Sequence, residues 1–411
     1  MDAEVADEVA ARAVPVDSLG LASWRPALRG VRVLGVGAAA YGARELLEMG
    51  RRMVEFAVDE LGVRLLVLGA SEAGATGLDA AVRGLSSPSD AVAALGGWEY
   101  DTREMVGLVS WLRDRTEMVD PDDRVRVVGA DPVRPARSVK VLGSYLRDAA
   151  PELLPPARDG LAELLDREPD ERPLKAPFRD AVVGLHGEIV AAEARLVAET
   201  SPSRYAEALD HAWILARAAE VAAAPRGTPF PTAEQAEQLD DTSAPVLRAR
   251  MVAEAVTRAA GTATGMPAAV FWGHDDLVRV GDPTTAGRHV RSALGDAYYV
   301  VGGWFAEGSA SAVRRRLLRP LRPRPSSHKL PALGGTAEAE LRSALGGTDD
   351  RLVDLRGARG GLADWAASPT TTRRIGSVVD SGQLKERIPV VPVREYDAVA
   401  LVPRVHPAWI R

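Results

Sequence analysis

Short runs of aliphatic and β-branched residues recur along the chain, at residues 31–36, 64–68, 124–128, 268–272, 297–301, 351–355 and 398–402. Continuous apolar runs of this length predict strands buried on both faces of a sheet. Between the first two, Leu46, Leu47, Met49, Met53, Val54, Ala57, Val58 and Leu61 repeat at helical spacing, and Gly62 supplies a stop. Strand, helix and strand in that order predict a right-handed crossover within a parallel sheet. From residue 139 to residue 260 the pattern changes to Ala-, Glu-, Arg- and Leu-rich segments with apolar positions three and four apart. They are broken by Pro151, Pro155, Pro156, Pro169, Pro173, Pro202 and the stretch 225–231. Because the strands resume at 268, one sheet is expected from both ends of the chain. The expected fold is a three-layer α/β sandwich with a mainly parallel sheet. Residues 1–138 and 261–411 would form its core domain, and 139–260 a helical insertion roofing the cleft. Residues 320–335, rich in Pro, Arg, Ser and Gly, predict a long surface loop.

Composition narrows the function classes. A chain of 411 residues with 46% apolar side chains can bury a substantial core. No apolar run reaches the ~18 residues of a membrane-spanning helix, so no membrane partner is expected. Residues 1–17 are acidic and Ala-rich, unlike a signal peptide, so the expected location is cytoplasmic. The absence of cysteine excludes disulfides, thiolate metal sites and a cysteine nucleophile. Net charge is −6, from 51 basic and 57 acidic residues. The one basic run, within residues 314–324, reads as a solvated loop, and no nucleic-acid partner is expected.

Three short patterns invite chemistry. Gly35, Gly37 and Ala40 satisfy the permissive dinucleotide pattern between a strand and a helix, but no carboxylate ends the second strand to hold a ribose. Gly69-Ala70-Ser71-Glu72-Ala73 imitates a nucleophile elbow without recognisable Asp and His partners. His186, His211, His289, His328 and His406 stand alone, and only His274-Asp275-Asp276 clusters metal-ligand types. Neither a cofactor nor a metal is expected.

A longer pattern uses far more of the chain. The segment 37–45, Gly-Ala-Ala-Ala-Tyr-Gly-Ala-Arg-Glu, resembles the G-E-x-T-H-G-T-x-E signature of the erythromycin esterase family. In order follow a second strand ending Leu68-Gly69-Ala70-Ser71 for L-E-A-S and Trp98-Glu99-Tyr100-Asp101-Thr102-Arg103-Glu104 for W-x-W-x-T-x-E. Then come Val128-Gly129-Ala130-Asp131 for Y-G-F-D, the segment from Arg248 to Val256 for the helix R-D-x-x-M-A-x-N, and Trp272-Gly273-His274-Asp275-Asp276-Leu277 for W-A-H-N-x-H.

The resemblance implies a polar cleft at the carboxyl ends of the strands, where the family's first histidine activates water. Here that histidine is Tyr41, the signature glutamate is Ala38, the second glutamate is Gly69, and the last histidine is Leu277; His274 alone is kept. An imidazole titrates near about pH 6.5 and can take a proton from water, whereas a phenol near about pH 10 donates instead. Simple ester hydrolysis is therefore not expected. The candidate catalytic set is Tyr41 and His274, with Asp275 and Asp276 orienting the imidazole and raising its pKa, and Glu72 reaching back into the space left at Gly69. Arg44 and Glu45 complete it, with capping and ion pairing as their plainer role. Trp98, Asp131, Trp272 and Leu277 are the candidate substrate-binding residues. The replacements make the cleft less polar, which favours an apolar small-molecule metabolite. Three functions stay open. One is altered acid–base chemistry, such as cyclisation, dehydration or isomerisation, on a polyketide-like or other specialised metabolite. The second is an inactive relative that binds a metabolite or a partner enzyme. The third is hydrolysis of a macrolide or other ester or lactone.

Overall fold

A computed structural model describes residues 1–165, 167, 172–226, 232–261, 266–315, 324–380 and 382–411. Its strands are β1 (Ala13–Pro15), β2 (Val33–Ala38), β3 (Leu65–Ser71), β4 (Arg126–Asp131), β5 (Ala269–His274), β6 (Tyr298–Arg314), β7 (Ser326–Leu330), β8 (Arg351–Asp354), β9 (Thr370–Thr372), β10 (Val378–Val379), β11 (Ile388–Val390) and β12 (Ala398–Val405). The main sheet runs β1-β8-β12-β6-β2-β5-β3-β4, with β7 and β10 also pairing β6. The six strands from β12 to β4 are mutually parallel, and β8 and β1 close one edge antiparallel. This is the expected α/β architecture with a mainly parallel sheet. Its two chain halves interleave. β5 slots between β2 and β3, so Ala38 stands in register with His274.

Burial explains the apolar runs. Every residue of β2 and of β5 is buried. The helix Arg44–Glu60 turns Leu46, Met49, Met53, Val54 and Ala57 onto the sheet. Its Gly50 is required by packing, because a Cβ there would lie 2.5 Å from the Trp272 ring. Removing one such core side chain costs about 2–5 kcal/mol.

Two hydrophobic clusters share no residue. The larger surrounds the sheet, and the smaller joins Leu142, Leu146, Leu161, Leu164, Val182, Leu185, Ile189 and Leu215. These come from the helices Ala136–Ala149, Leu154–Leu165, Ala176–Ala191 and Pro202–Ala223. The helix Ala244–Ala260, read from sequence as part of the insertion, instead gives Val252, Ala253 and Val256 to the sheet cluster. Helical periodicity shows that a face is apolar but not which core it meets.

Two loop and strand expectations are corrected. β6 runs 17 residues, far past residue 301, because Gly302 and Gly303 admit Tyr396 and the Gly37 backbone at close range. The 320–335 stretch contains β7, which pairs antiparallel with β6; its Ser-Ser-His-Lys-Leu sequence is polar because most of it is exposed. Residues 316–323 of the arginine run, Pro169, and residues 227–231 of the Pro-broken stretch lie outside the described residues. Among the described residues no helix is long and apolar enough to cross a membrane.

Candidate functional site

The carboxyl ends of β2, β5 and β3 meet where Tyr41, His274 and Gly69 lie. A hydrogen-bonded chain joins them. The His274 backbone N–H donates to the Tyr41 hydroxyl (3.3 Å), the Tyr41 and Tyr100 hydroxyls are 3.2 Å apart, and Tyr100 donates to the Gly69 carbonyl (2.6 Å). Because Tyr100 gives its only proton to Gly69, Tyr41 must be the donor between the two phenols. The chain therefore has one direction and ends on a backbone carbonyl that cannot accept a proton outright. Burial pushes the Tyr41 hydroxyl up to about 12, against the lowering effect of the Tyr100 hydroxyl. Burial, with Tyr41 alongside, pushes Tyr100 well above the ordinary phenol range. The Tyr41 ring also packs 4.8 Å from the His274 ring and 5.6 Å from that of Tyr100.

His274 is equally committed. Nδ1 accepts from the Asp276 backbone N–H (3.2 Å), and Nε2 lies 3.2 Å from the Ile375 carbonyl, which fixes a neutral ring protonated on Nε2. Burial lowers its pKa, and Asp276 only partly offsets that, so the expected rise is corrected to a fall. Asp275 does not orient the imidazole. It is fully buried, accepts from the Tyr396 hydroxyl (3.0 Å) and fills the space that a side chain at Gly37 would need. Burial raises the Asp275 carboxyl to about 7, although Arg374 and Tyr396 oppose this. Asp276 is half-exposed and binds Arg374 (2.8 Å) and Arg279 (3.3 Å). The guanidinium groups of Arg374 and Arg279 hold its carboxyl below the ordinary carboxylate range. Ile375 covers the end of β2, its N–H donating to the Ala39 carbonyl (2.7 Å).

Glu72 does not reach back to Gly69. The Leu277 methyl group occupies that space, 2.5 Å from where a Cβ at Gly69 would stand. Glu72 instead faces Arg217 from the Pro202–Ala223 helix, 3.5 Å away. Its carboxyl is raised to about 7 by burial, with Arg217 opposing and Asp131 adding. Asp131, at the end of β4, is buried and receives Arg248 through Nε (2.9 and 3.1 Å) and Nη2. Arg217 and Arg374 left no signal in the linear pattern, since each comes from a distant segment, whereas Arg279 stands only three residues past Asp276. Tyr100 and Arg248 lie within stretches already singled out, but no spacing rule assigned them partners.

The remaining candidates sit elsewhere. Trp272 is buried beneath the Arg44–Glu60 helix, which corrects its assignment to a ligand surface. Trp98 is part-buried next to Glu99, whose carboxylate binds Arg134 (3.0 Å). Arg44 stacks 4.4 Å over Trp409, and Glu45 accepts from the His406 amide (2.6 Å) and faces its Nδ1 (2.7 Å). Both hold the C-terminal segment. The His406 carbonyl also accepts from the Arg44 amide, so the N-terminus that a pyrophosphate would need is taken by protein. Ser71 donates to the Arg134 carbonyl and accepts from the Gly74 amide, which makes it a helix cap. Tyr100→Phe should lower stability by about 1–2 kcal/mol, read from urea unfolding, because it unties Gly69 from Tyr41.

The sequence model of erythromycin esterases matches residues 58–405. The chain belongs to the erythromycin esterase family. The match starts beyond the 37–45 segment, where Ala38 and Tyr41 depart from the family signature. Solved structures share the fold. A succinoglycan biosynthesis protein aligns with a TM-score of 0.75 at 16% identity, covering 99% of this chain and 98% of its own. A protein from Bacillus cereus aligns at 0.74 and 18%, with coverage of 99% and 98%. A mutant erythromycin esterase, EreC, in its open conformation aligns at 0.66 and 13%, with coverage of 96% and 98%. Such identities carry the fold and not the activity. No curated protein matches the chain.

Proposed function

We propose that this family member binds an apolar specialised metabolite without hydrolysing it. The reading rests on one observation, the closed chain from the His274 amide through Tyr41 and Tyr100 to the Gly69 carbonyl. A group that activates water needs a free acceptor near neutral pH. Tyr41 offers a phenol held at about 12, and both ring nitrogens of His274 already have partners. Leu277 and the two tyrosine rings favour an apolar ligand over a small charged one. The helices over the strand ends would roof its site.

A second reading, acid–base chemistry such as isomerisation or dehydration, is favoured by Glu72. Its carboxyl at about 7 suits proton transfer, and its Oε2 has no hydrogen bond among the described residues. Incubation with a panel of macrolides, simpler esters and lactones, followed by mass spectrometry, tests both. The expected result is a compound retained by the protein and recovered unchanged. Water addition that disappears in Tyr41→Phe would overturn the non-hydrolytic reading. An isomerised or dehydrated product that disappears in Glu72→Gln would replace the first reading by the second.

A further inference from the structure

Both tyrosines of the site stand at the head of the same short pattern. Tyr41-Gly42-Ala43-Arg44-Glu45 and Tyr100-Asp101-Thr102-Arg103-Glu104 each place a tyrosine three residues before the first residue of a helix, Arg44–Glu60 and Arg103–Thr116 respectively. The segment 406–411 binds the two in one way. At the first, the Arg44 amide donates to the His406 carbonyl (2.9 Å), the His406 amide to the Glu45 carboxylate (2.6 Å) and the Ala408 amide to the Gly42 carbonyl (2.9 Å). At the second, three residues further along the segment, the Arg103 amide donates to the Trp409 carbonyl (2.9 Å). The Trp409 amide then donates to the Glu104 carboxylate (3.1 Å), and the Arg411 amide to the Asp101 carbonyl (3.0 Å). Pro407 bridges Ala43 and Ile410 bridges Thr102, both antiparallel. Both clamps share the Trp409 ring, which lies 4.4 Å from the Arg44 guanidinium and 5.9 Å from that of Arg103.

Capping of helix starts accounts for each set of bonds taken singly, but not for one segment meeting two helices in the same register. The strands beneath the two tyrosines are not neighbours. β5 lies between β2, which leads to Tyr41, and β3, whose Gly69 carbonyl holds Tyr100. Sheet pairing between β2 and β3 therefore cannot set the distance between the two tyrosine loops. Three residues of extended chain span about 10 Å, which matches the separation of packed helices, so one segment can reach both helix starts with the same bonds. The tyrosine pair needs that precision: its hydroxyls are 3.2 Å apart, and a slip of about half an ångström would break the bond. We propose that residues 406–411 are a strap that holds the Tyr41 and Tyr100 hydroxyls in register, with Glu45, Glu104 and Trp409 as positioning residues of the site. Each carboxylate stands in the first turn of its helix, where the helix dipole favours its charge. The shared indole ties the two arginines, and with them the two clamps, to one ring. The strap acts on the site to which the binding proposal refers, whatever its occupant.

The chain has seven tyrosines, and carbon-13 at each Cζ reports its hydroxyl, with Tyr41→Phe and Tyr100→Phe identifying the two resonances. In equal water and heavy water, a slowly exchanging hydroxyl splits its Cζ signal, so the exchange rate can be read for each. Trp409 is half-exposed, so Trp409→Ala removes the shared ring without opening a core. Exchange at both hydroxyls should quicken about tenfold in Trp409→Ala and in the Glu45→Ala, Glu104→Ala double variant. Trp409→Phe keeps a ring for both guanidinium groups and should restore the wild-type rate. Leu185→Ala weakens the smaller hydrophobic cluster, away from the strap, and should leave both rates unchanged. Unchanged rates in Trp409→Ala overturn the proposal, as does equal quickening in Leu185→Ala. Quickening at one hydroxyl alone also overturns it, since the clamps would then be two separate helix caps. If the double variant does not fold, Trp409→Ala and Trp409→Phe decide. The measurement contains no ligand, so a failure of the binding proposal leaves its result standing.

Discussion

Arg248→Met should lower the unfolding free energy by about 3 kcal/mol, because it leaves the Asp131 carboxylate buried without its cation. Asp131 has a side chain only 3% exposed, whereas that of Arg248 is 41% exposed. Water can reach one side of the pair, which keeps the cost below the about 5 kcal/mol that a wholly enclosed pair can reach. Methionine preserves much of the volume of the arginine stem, so packing contributes little to the loss. The Asp131→Asn, Arg248→Met double variant should recover part of it, since a neutral amide needs no guanidinium. Urea unfolding of both singles and the double measures the coupling. A loss below about 1 kcal/mol for Arg248→Met would mean that solvent, and not Arg248, satisfies Asp131.

The same pair shows what linear patterns disclose. β2, β3, β4 and β5 were legible because parallel strands that are wholly or largely buried are written as apolar runs, and the Arg44–Glu60 helix because one face repeats at helical spacing. The family signature then placed Tyr41 and His274 at the ends of β2 and β5, side by side. It could not say that both would be saturated. That depends on Tyr100 arriving from a loop before the Arg103–Thr116 helix and on Ile375 from the far end of the chain. Partners contributed by segments with no periodic relation leave no trace in spacing. The direction of the His274 shift was misread for the same reason. Sequence shows the neighbouring carboxylates, but burial, which outweighs them, is a property of the packed fold. β7 escaped notice because an exposed strand lacks the apolar pattern on which strand recognition rests.

Gly42→Ala should destabilise the protein by about 3 kcal/mol and disorder the Tyr41 hydroxyl contacts, although it adds a single methyl group. The new Cβ would land on the Ser311 carbonyl oxygen, with the Ser311 carbonyl carbon at 2.6 Å and its nitrogen at 2.7 Å. All of these are backbone atoms of β6, so no side chain can swing aside. The Gly42 carbonyl accepts from the Ser311 and Ala408 amides (2.9 Å each), which fixes the glycine between the central strand and the C-terminal segment. Relief therefore requires the 41–43 backbone to move, and Tyr41 moves with it. The His274 amide and the Tyr100 hydroxyl then lose their partner. Gly184→Ala supplies the contrast. It lies in the Ala176–Ala191 helix with nothing within 4 Å of the added Cβ. There the methyl group should stabilise by about 0.5–1 kcal/mol through helix propensity. Thermal melts of the two variants, with near-ultraviolet circular dichroism reporting the tyrosine environment, compare a crowded glycine with a free one. Equal melting temperatures would show that the 41–43 loop yields, and that Tyr41 is not held by the contact between Gly42 and β6.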